Sequence, residues 1–215
     1  MTLKYTDEYA RKFTFAEEAV KVVKSGDRVI YAFGICSINE LDRALAMRKD
    51  ELLGVDIICN DLSCGYYTMD ADFSEEHFRF YEGMYPGKKE REKVHEGGTK
   101  GRSYSKFASS QKKDSSHHIF MATVSPMDKD GYFWFDSRVS QKHHFRPYYE
   151  KADYVILEIN ERILEGRNKN QECIHISQVD MIVGSNNDEL LQRVNEPGKH
   201  PRYEEQSVIT RSWAV

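Results

Sequence analysis

The sequence has no basic excess: 31 lysines and arginines stand against 35 aspartates and glutamates, a formal net charge of −4. Such a balance leaves little to neutralise a phosphate backbone, so nucleic acid is not an expected partner. Long apolar runs are missing too. The longest, such as Ile119 to Val124, fall far short of the roughly 20 residues a membrane helix needs. The opening residues Met1 to Asp7 lack the apolar core of a signal peptide, so a soluble cytoplasmic protein is expected. Cysteine is sparse. Cys36, Cys59, Cys64 and Cys173 form no C-x-x-C pair, which favours free thiols over disulfides or a zinc site. The histidine doublets His117-His118 and His143-His144 are no better as ligands, because adjacent side chains diverge on a strand or a helix. No metal is expected. The glycine-rich stretch from Gly97 to Ser103 lacks P-loop spacing, and no serine stands in a G-x-S-x-G context.

What is present is a set of strand-forming runs. Ile119 to Val124 is continuous, apolar and stopped by Ser125-Pro126, as a strand buried on both faces would be. Met127 to Gly131 then carries the Asp and Gly of a tight reversal, which predicts a β-hairpin around Ser125–Gly131 with Tyr132 to Phe135 laid beside the first strand. After a polar stretch, Tyr154 to Ile159 is again β-branched and nearly continuous. A helix-length insert between two such strands implies a parallel crossover. The expected fold is therefore α/β: an open, mostly parallel sheet flanked by helices. Val29 to Phe33, Val55 to Cys59, His77 to Tyr81, Cys173 to Ile176 and Val179 to Val183 add further candidate strands. Residues 1–183 read as one α/β domain and 184–215 as a divergent, poorly packed tail.

Two capping-box patterns, Thr14 with Glu17 and Ser37 with Glu40, predict helix starts, the first helix placing Ala16, Ala19, Val20 and Val23 on one face. Gly34 to Ser37 is then a strand-to-helix turn, and Asn60 to Gly65 leaves the next strand as a polar turn. In open parallel sheets ligands bind at the carboxyl ends of strands. Gly34, Cys36, Ser63 and Ser125 are accordingly the candidate substrate-binding residues. The competing reading makes these turns plain connectors. A thioesterase using Ser63 or Cys64 with His77 or His95 is a further alternative that has no spacing to support it.

Three stretches, Ser25 to Val29, Thr123 to Phe133 and Lys151 to Asn160, resemble the acetyl-CoA hydrolase/CoA-transferase family, near the 4-hydroxybutyrate and butyrate:acetate CoA-transferases. The most specific piece is Ser125-Pro126-Met127-Asp128-Lys129-Asp130-Gly131, and His175-Ile176-Ser177-Gln178-Val179-Asp180 is similar to a second family motif. The resemblance implies a CoA-transferase-like domain that handles acyl-CoA and small carboxylic acids, with coenzyme A as co-substrate. It also implies a catalytic glutamate carried by a second domain, whose glutamate-x-x-serine-aspartate-glycine context is absent from this sequence. The leading expectation is an amino-terminal half that forms one wall of the acyl/carboxylate site and depends on a second domain or subunit, or on a homo-oligomer. Its alternative is an inactive truncated homologue that serves as an interaction module.

Overall fold

The computed structural model describes residues 5–32, 38–61, 66–72, 74–85, 117–136, 145–163 and 171–184, with backbone alone for 60–61 and 82–85. Its centre is a seven-stranded sheet of β1 (Phe13–Thr14), β2 (Arg28–Tyr31), β3 (Val55–Asp61), β4 (Phe78–Tyr85), β5 (His118–Val124), β7 (Tyr154–Ile159) and β9 (Met181–Gly184). The spatial order is β1-β9-β7-β5-β2-β3-β4, and every pairing is parallel. The α/β expectation holds. Alternation along the strands sends Val29, Tyr31, Ile57, Ile119, Met121 and Ile156 into one core and Ile30, Ile58, Phe120, Ala122, Val155 and Leu157 into the other. That is why these segments read as nearly continuous apolar runs.

The first core is covered by α2 (Ala16–Ala19), α3 (Glu40–Met47) and α4 (Tyr67–Ala71). The second is covered by the two-stranded ribbon of β6 (Tyr132–Trp134) and β8 (Cys173–His175), by α5 (Arg146–Tyr149), and by tyrosines at and in α1 (Thr6–Lys12). The described connecting elements between β1 and β4 thus lie on one face, and those between β5 and β9 on the other. The chain leaves β2 toward β3 but leaves β5 in the opposite direction toward β7, although β2 and β5 are neighbours. This is the point at which parallel sheets open a crevice beyond their carboxyl ends.

The hairpin expectation needs its partner corrected. The reversal exists: the Ser125 amide donates to the Trp134 carbonyl and the Asp128 amide to the Tyr132 carbonyl, both at 2.9 Å. Its outgoing strand, however, ladders antiparallel with β8 rather than with β5, because both edges of β5 are already taken by β2 and β7. The first capping box also fails as written. Ala16, Ala19, Val20 and Val23 are buried as expected, but the cap of α2 is Phe15 without a side-chain bond, and the helix tightens into a 3₁₀ turn over Val20–Val22. Of the features read from the sequence, the glycine-rich stretch over 97–103 and the doublet His143-His144 lie outside the described residues, as does 185–215.

Candidate functional site

Tyr31, Asp61, Val124 and Ile159 end four adjacent parallel strands, so the carboxyl rim around the β2/β5 junction is the candidate site. Gly34, Cys36 and Ser63 follow β2 and β3 in sequence but lie outside the described residues. Ser125 is described, and it is buried. Its hydroxyl donates to the Pro126 carbonyl at 2.8 Å and accepts from the Trp134 amide at 2.9 Å, so it closes the turn after β5. Asp128 completes that turn: Oδ1 accepts from the amides of Asp130 and Tyr132, and Oδ2 from the Trp134 indole N–H. Gly131, at φ +87°, returns the chain, and its carbonyl receives the Ile176 amide at 2.9 Å. The second motif meets the first there, with His175 Nδ1 bonded to Ser177 Oγ and Asp180 Oδ2 accepting the Val155 amide of β7. The motif residues are therefore a fastening between the ribbon and the sheet.

The carboxylates at the rim were not singled out by sequence. Glu158, on the first-core face of β7, is fully buried. Its carboxylate accepts the Asn39 amide on both oxygens, at 3.3 and 3.1 Å, and the Leu41 amide on Oε2 at 3.1 Å, which makes it the cap of α3. Burial pushes this carboxyl up to about 7, against the pull of those amides and with a further push from Glu40. The expected side-chain cap from Ser37 falls outside the described residues, and Asn39, which occupies the cap position, makes no side-chain capping bond. A signal was present, since Glu158 is the one acidic residue in the apolar strand Tyr154–Ile159.

One turn into α3, Asp42 is likewise buried. Its Oδ1 accepts from the Tyr31 hydroxyl at 3.0 Å and the Thr68 hydroxyl at 2.6 Å, and its Oδ2 from the Tyr67 amide at 2.5 Å. Asp42 thus joins the end of β2 to the start of α4. Burial raises the Tyr31 phenol well above its ordinary value, and the Asp42 charge adds to that rise. Glu40 accepts from Asn39 Nδ2 at 2.9 Å and pairs with Arg43 at 2.5 Å. Every one of these three rim carboxylates is engaged in bonds of its own.

At the opposite edge, aspartates fasten the strand starts. Asp72 accepts from the His77 and Phe78 amides, Asp27 from the His117 amide and Asp153 from the His118 amide. His77 belongs to this amino edge: its Nδ1 lies 2.8 Å from the Leu52 carbonyl, and its own carbonyl receives the Val55 amide. That puts it a strand length away from the end of β3, while Ser63 and Cys64 lie outside the described residues. Cys59 is a buried free thiol and Cys173 a half-buried one, while Cys36 and Cys64 lie outside the described residues. Among the described residues no group of three metal-ligating side chains converges, and no helix is long and apolar enough to cross a membrane.

Comparison with known proteins follows the same lines. The family model described as "Acetyl-CoA hydrolase/transferase N-terminal domain" matches residues 2–191. The probable butyrate:acetyl-CoA coenzyme A-transferase of Syntrophomonas wolfei is 34% identical over 200 residues, covering 88% of this chain and 42% of its own. The butyryl-CoA:acetate CoA-transferase of Anaerostipes caccae is 33% identical over 193 residues, with the same coverage. The chain therefore spans about two fifths of the length of these relatives. Among solved structures, RipA from Yersinia pestis superposes with a TM-score of 0.63 at 23% identity, over 85% of this chain and 44% of its own. A variant of the decarboxylase AibA/AibB gives 0.54 at 13% identity, over 94% of this chain and 92% of the matched chain. Both likenesses are of fold.

Proposed function

The chain belongs to the acetyl-CoA hydrolase/transferase family, as its amino-terminal domain, and from that premise we propose that it forms one wall of an acyl-CoA/carboxylate site completed by a glutamate from a second domain or subunit. The observation that carries this reading is the share of the relatives that is matched: the family domain is present, and more than half of each relative's length has no counterpart in this sequence. The rim chemistry agrees with it. A nucleophilic carboxylate must reach a thioester carbonyl, whereas Glu158, Glu40 and Asp42 are buried and bonded to their own neighbours.

In this reading the junction of β2 and β5 offers the wall, with Gly34, Cys36 and Ser63 following the strands that end there and Ser125 fastening the end of β5. Coenzyme A is the co-substrate. The partner carboxylate attacks the acyl thioester and expels CoA as a thiolate, leaving an acyl-glutamyl anhydride; the thiolate attacks the glutamyl carbonyl, which releases the donor acid and forms a glutamyl thioester; the acceptor carboxylate then displaces the thiolate from it as a second anhydride, and the thiolate attacks the acceptor's carbonyl, which releases the new acyl-CoA and restores the glutamate. A matched chain of nearly the same length in AibA/AibB, a decarboxylase whose name carries two components, supports a two-chain arrangement. Butyryl-CoA and acetate, the substrates named for the relatives, are the first pair to try.

The test is transfer of CoA from butyryl-CoA to acetate, followed with the purified chain alone and with the carboxyl-terminal half of the S. wolfei relative added. No transfer alone and transfer on mixing are expected. Robust turnover by the isolated chain would defeat the proposal.

A further inference from the structure

The carboxyl rim holds a relay of two buried carboxylates, Glu158 and Asp42. Glu158 on β7 takes the first amides of α3, and one turn later Asp42 on α3 takes the first amide of α4, the Thr68 hydroxyl and the Tyr31 hydroxyl of β2. A single chain of hydrogen bonds thus runs from β7 through α3 to α4 and back to β2, across the mouth of the β2/β5 junction. Bonds to an ionised carboxylate are individually stronger than neutral ones and fix direction as well as distance. A backbone amide is also normally free to turn toward a ligand anion at a helix start; here the amides of Asn39 and Leu41 are filled from within.

We propose that Glu158 is a positioning residue for the rim, an internal carboxyl that sets the start of α3 and, through Asp42, the start of α4. The inference rests on the proposed function for its purpose but not for its geometry. Because the carboxyl is buried, opening α3 at its start hydrates it and returns it toward its ordinary acidity. By linkage, opening then becomes easier as pH rises through neutrality, and the closed rim is favoured on the acid side. Among the described residues, the other ionisable groups of this corner are Glu40, Arg43 and Asp42 on α3 and Tyr31 on β2. The in-register neighbours of Glu158, Thr123 on β5 and Val183 on β9, carry no charge. Glu40 is paired with Arg43.

The measurement is amide exchange of the full chain, expressed as protection factors for 38–44 and 66–72 between pH 6 and pH 8. In the wild type, protection over 38–44 falls about tenfold across that range, since each unit between the closed and open acidities is a factor of ten. In E158Q, which keeps the shape but cannot ionise, it is flat. In D42N the pH response over 38–44 persists but no longer reaches 66–72. A response that survives in E158Q, or one confined to 38–44 in the wild type, overturns the relay. Should E158Q fail to fold, the wild type alone decides: protection that is level or rises with pH overturns the proposal. Exchange requires no CoA chemistry, so the proposal stands or falls separately from the transferase reading.

Discussion

Two glycines with positive φ separate the backbone and steric parts of a substitution at the residue scale. Gly26, at φ +83°, has nothing within 4 Å of where a Cβ would stand. Gly131, at φ +87°, would place that carbon 2.6 Å from Tyr5 Cδ2 and 2.9 Å from His175 Nε2. Gly26→Ala is expected to cost about 1–2 kcal/mol, the left-handed penalty for an L-residue. Gly131→Ala adds an overpacking cost of about 1–3 kcal/mol, because Tyr5 and Tyr132 both pack edge-on against His175 and close the space. Urea unfolding of the two variants gives the difference; equal losses would show that Tyr5 swings aside freely. Gly131 was legible as the end of a turn. The crowding around it was not, since Tyr5 and His175 approach from opposite ends of the sequence.

At the scale of elements, short pieces are held by side chains from elsewhere. The turn between β5 and β6 depends on Asp128, whose three accepted bonds leave two amides and an indole N–H without their acceptor if it is removed. Asp128→Ala is expected to cost about 2–3 kcal/mol, given roughly 1 kcal/mol for each lost bond, and to alter the near-UV dichroism of Trp134. Unchanged stability and spectrum would show that water replaces the carboxylate. β2, β3, β4, β5, β7 and β9 were legible because β-branched and aromatic runs announce them. α1, β1 and α4 were not, since helices of five to seven residues have too little propensity to stand alone. The partner of β6 was equally hidden: local turn chemistry favours β5, while the parallel ladder on both edges of β5 forbids it.

For the whole molecule, the buried carboxyls act on global stability with opposite signs. Glu158 is raised to about 7 by burial, so the stability tied to its protonated form is present below about pH 4.5 and lost as pH climbs to 7. The loss is about 3 kcal/mol. Asp72 behaves oppositely: burial alone would raise it, but bonds from Ser74, Phe78 and His77 outweigh that and hold it below its ordinary value. Its contribution is present at neutral pH and disappears only in acid, below the ordinary aspartate range. Chemical denaturation is therefore expected to give higher stability at pH 5.5 than at pH 8. E158Q removes most of that slope, whereas Asp72→Asn leaves it and instead lowers stability throughout the neutral range. A wild type more stable at pH 8 than at pH 5.5 would contradict the assignment.

By itself the sequence determined the class of fold, the longer strands of the sheet and their two buried faces, and the family to which the chain belongs. These are carried by local runs and by motifs contiguous along the chain. Only the tertiary structure decided what those motifs do, where β6 pairs and which carboxylate caps α3. Glu158 and Asn39 are 119 positions apart. No local spacing rule joins residues so distant, because it is the parallel sheet that brings the end of β7 beneath the start of α3 and then excludes the water that would otherwise hold the charge.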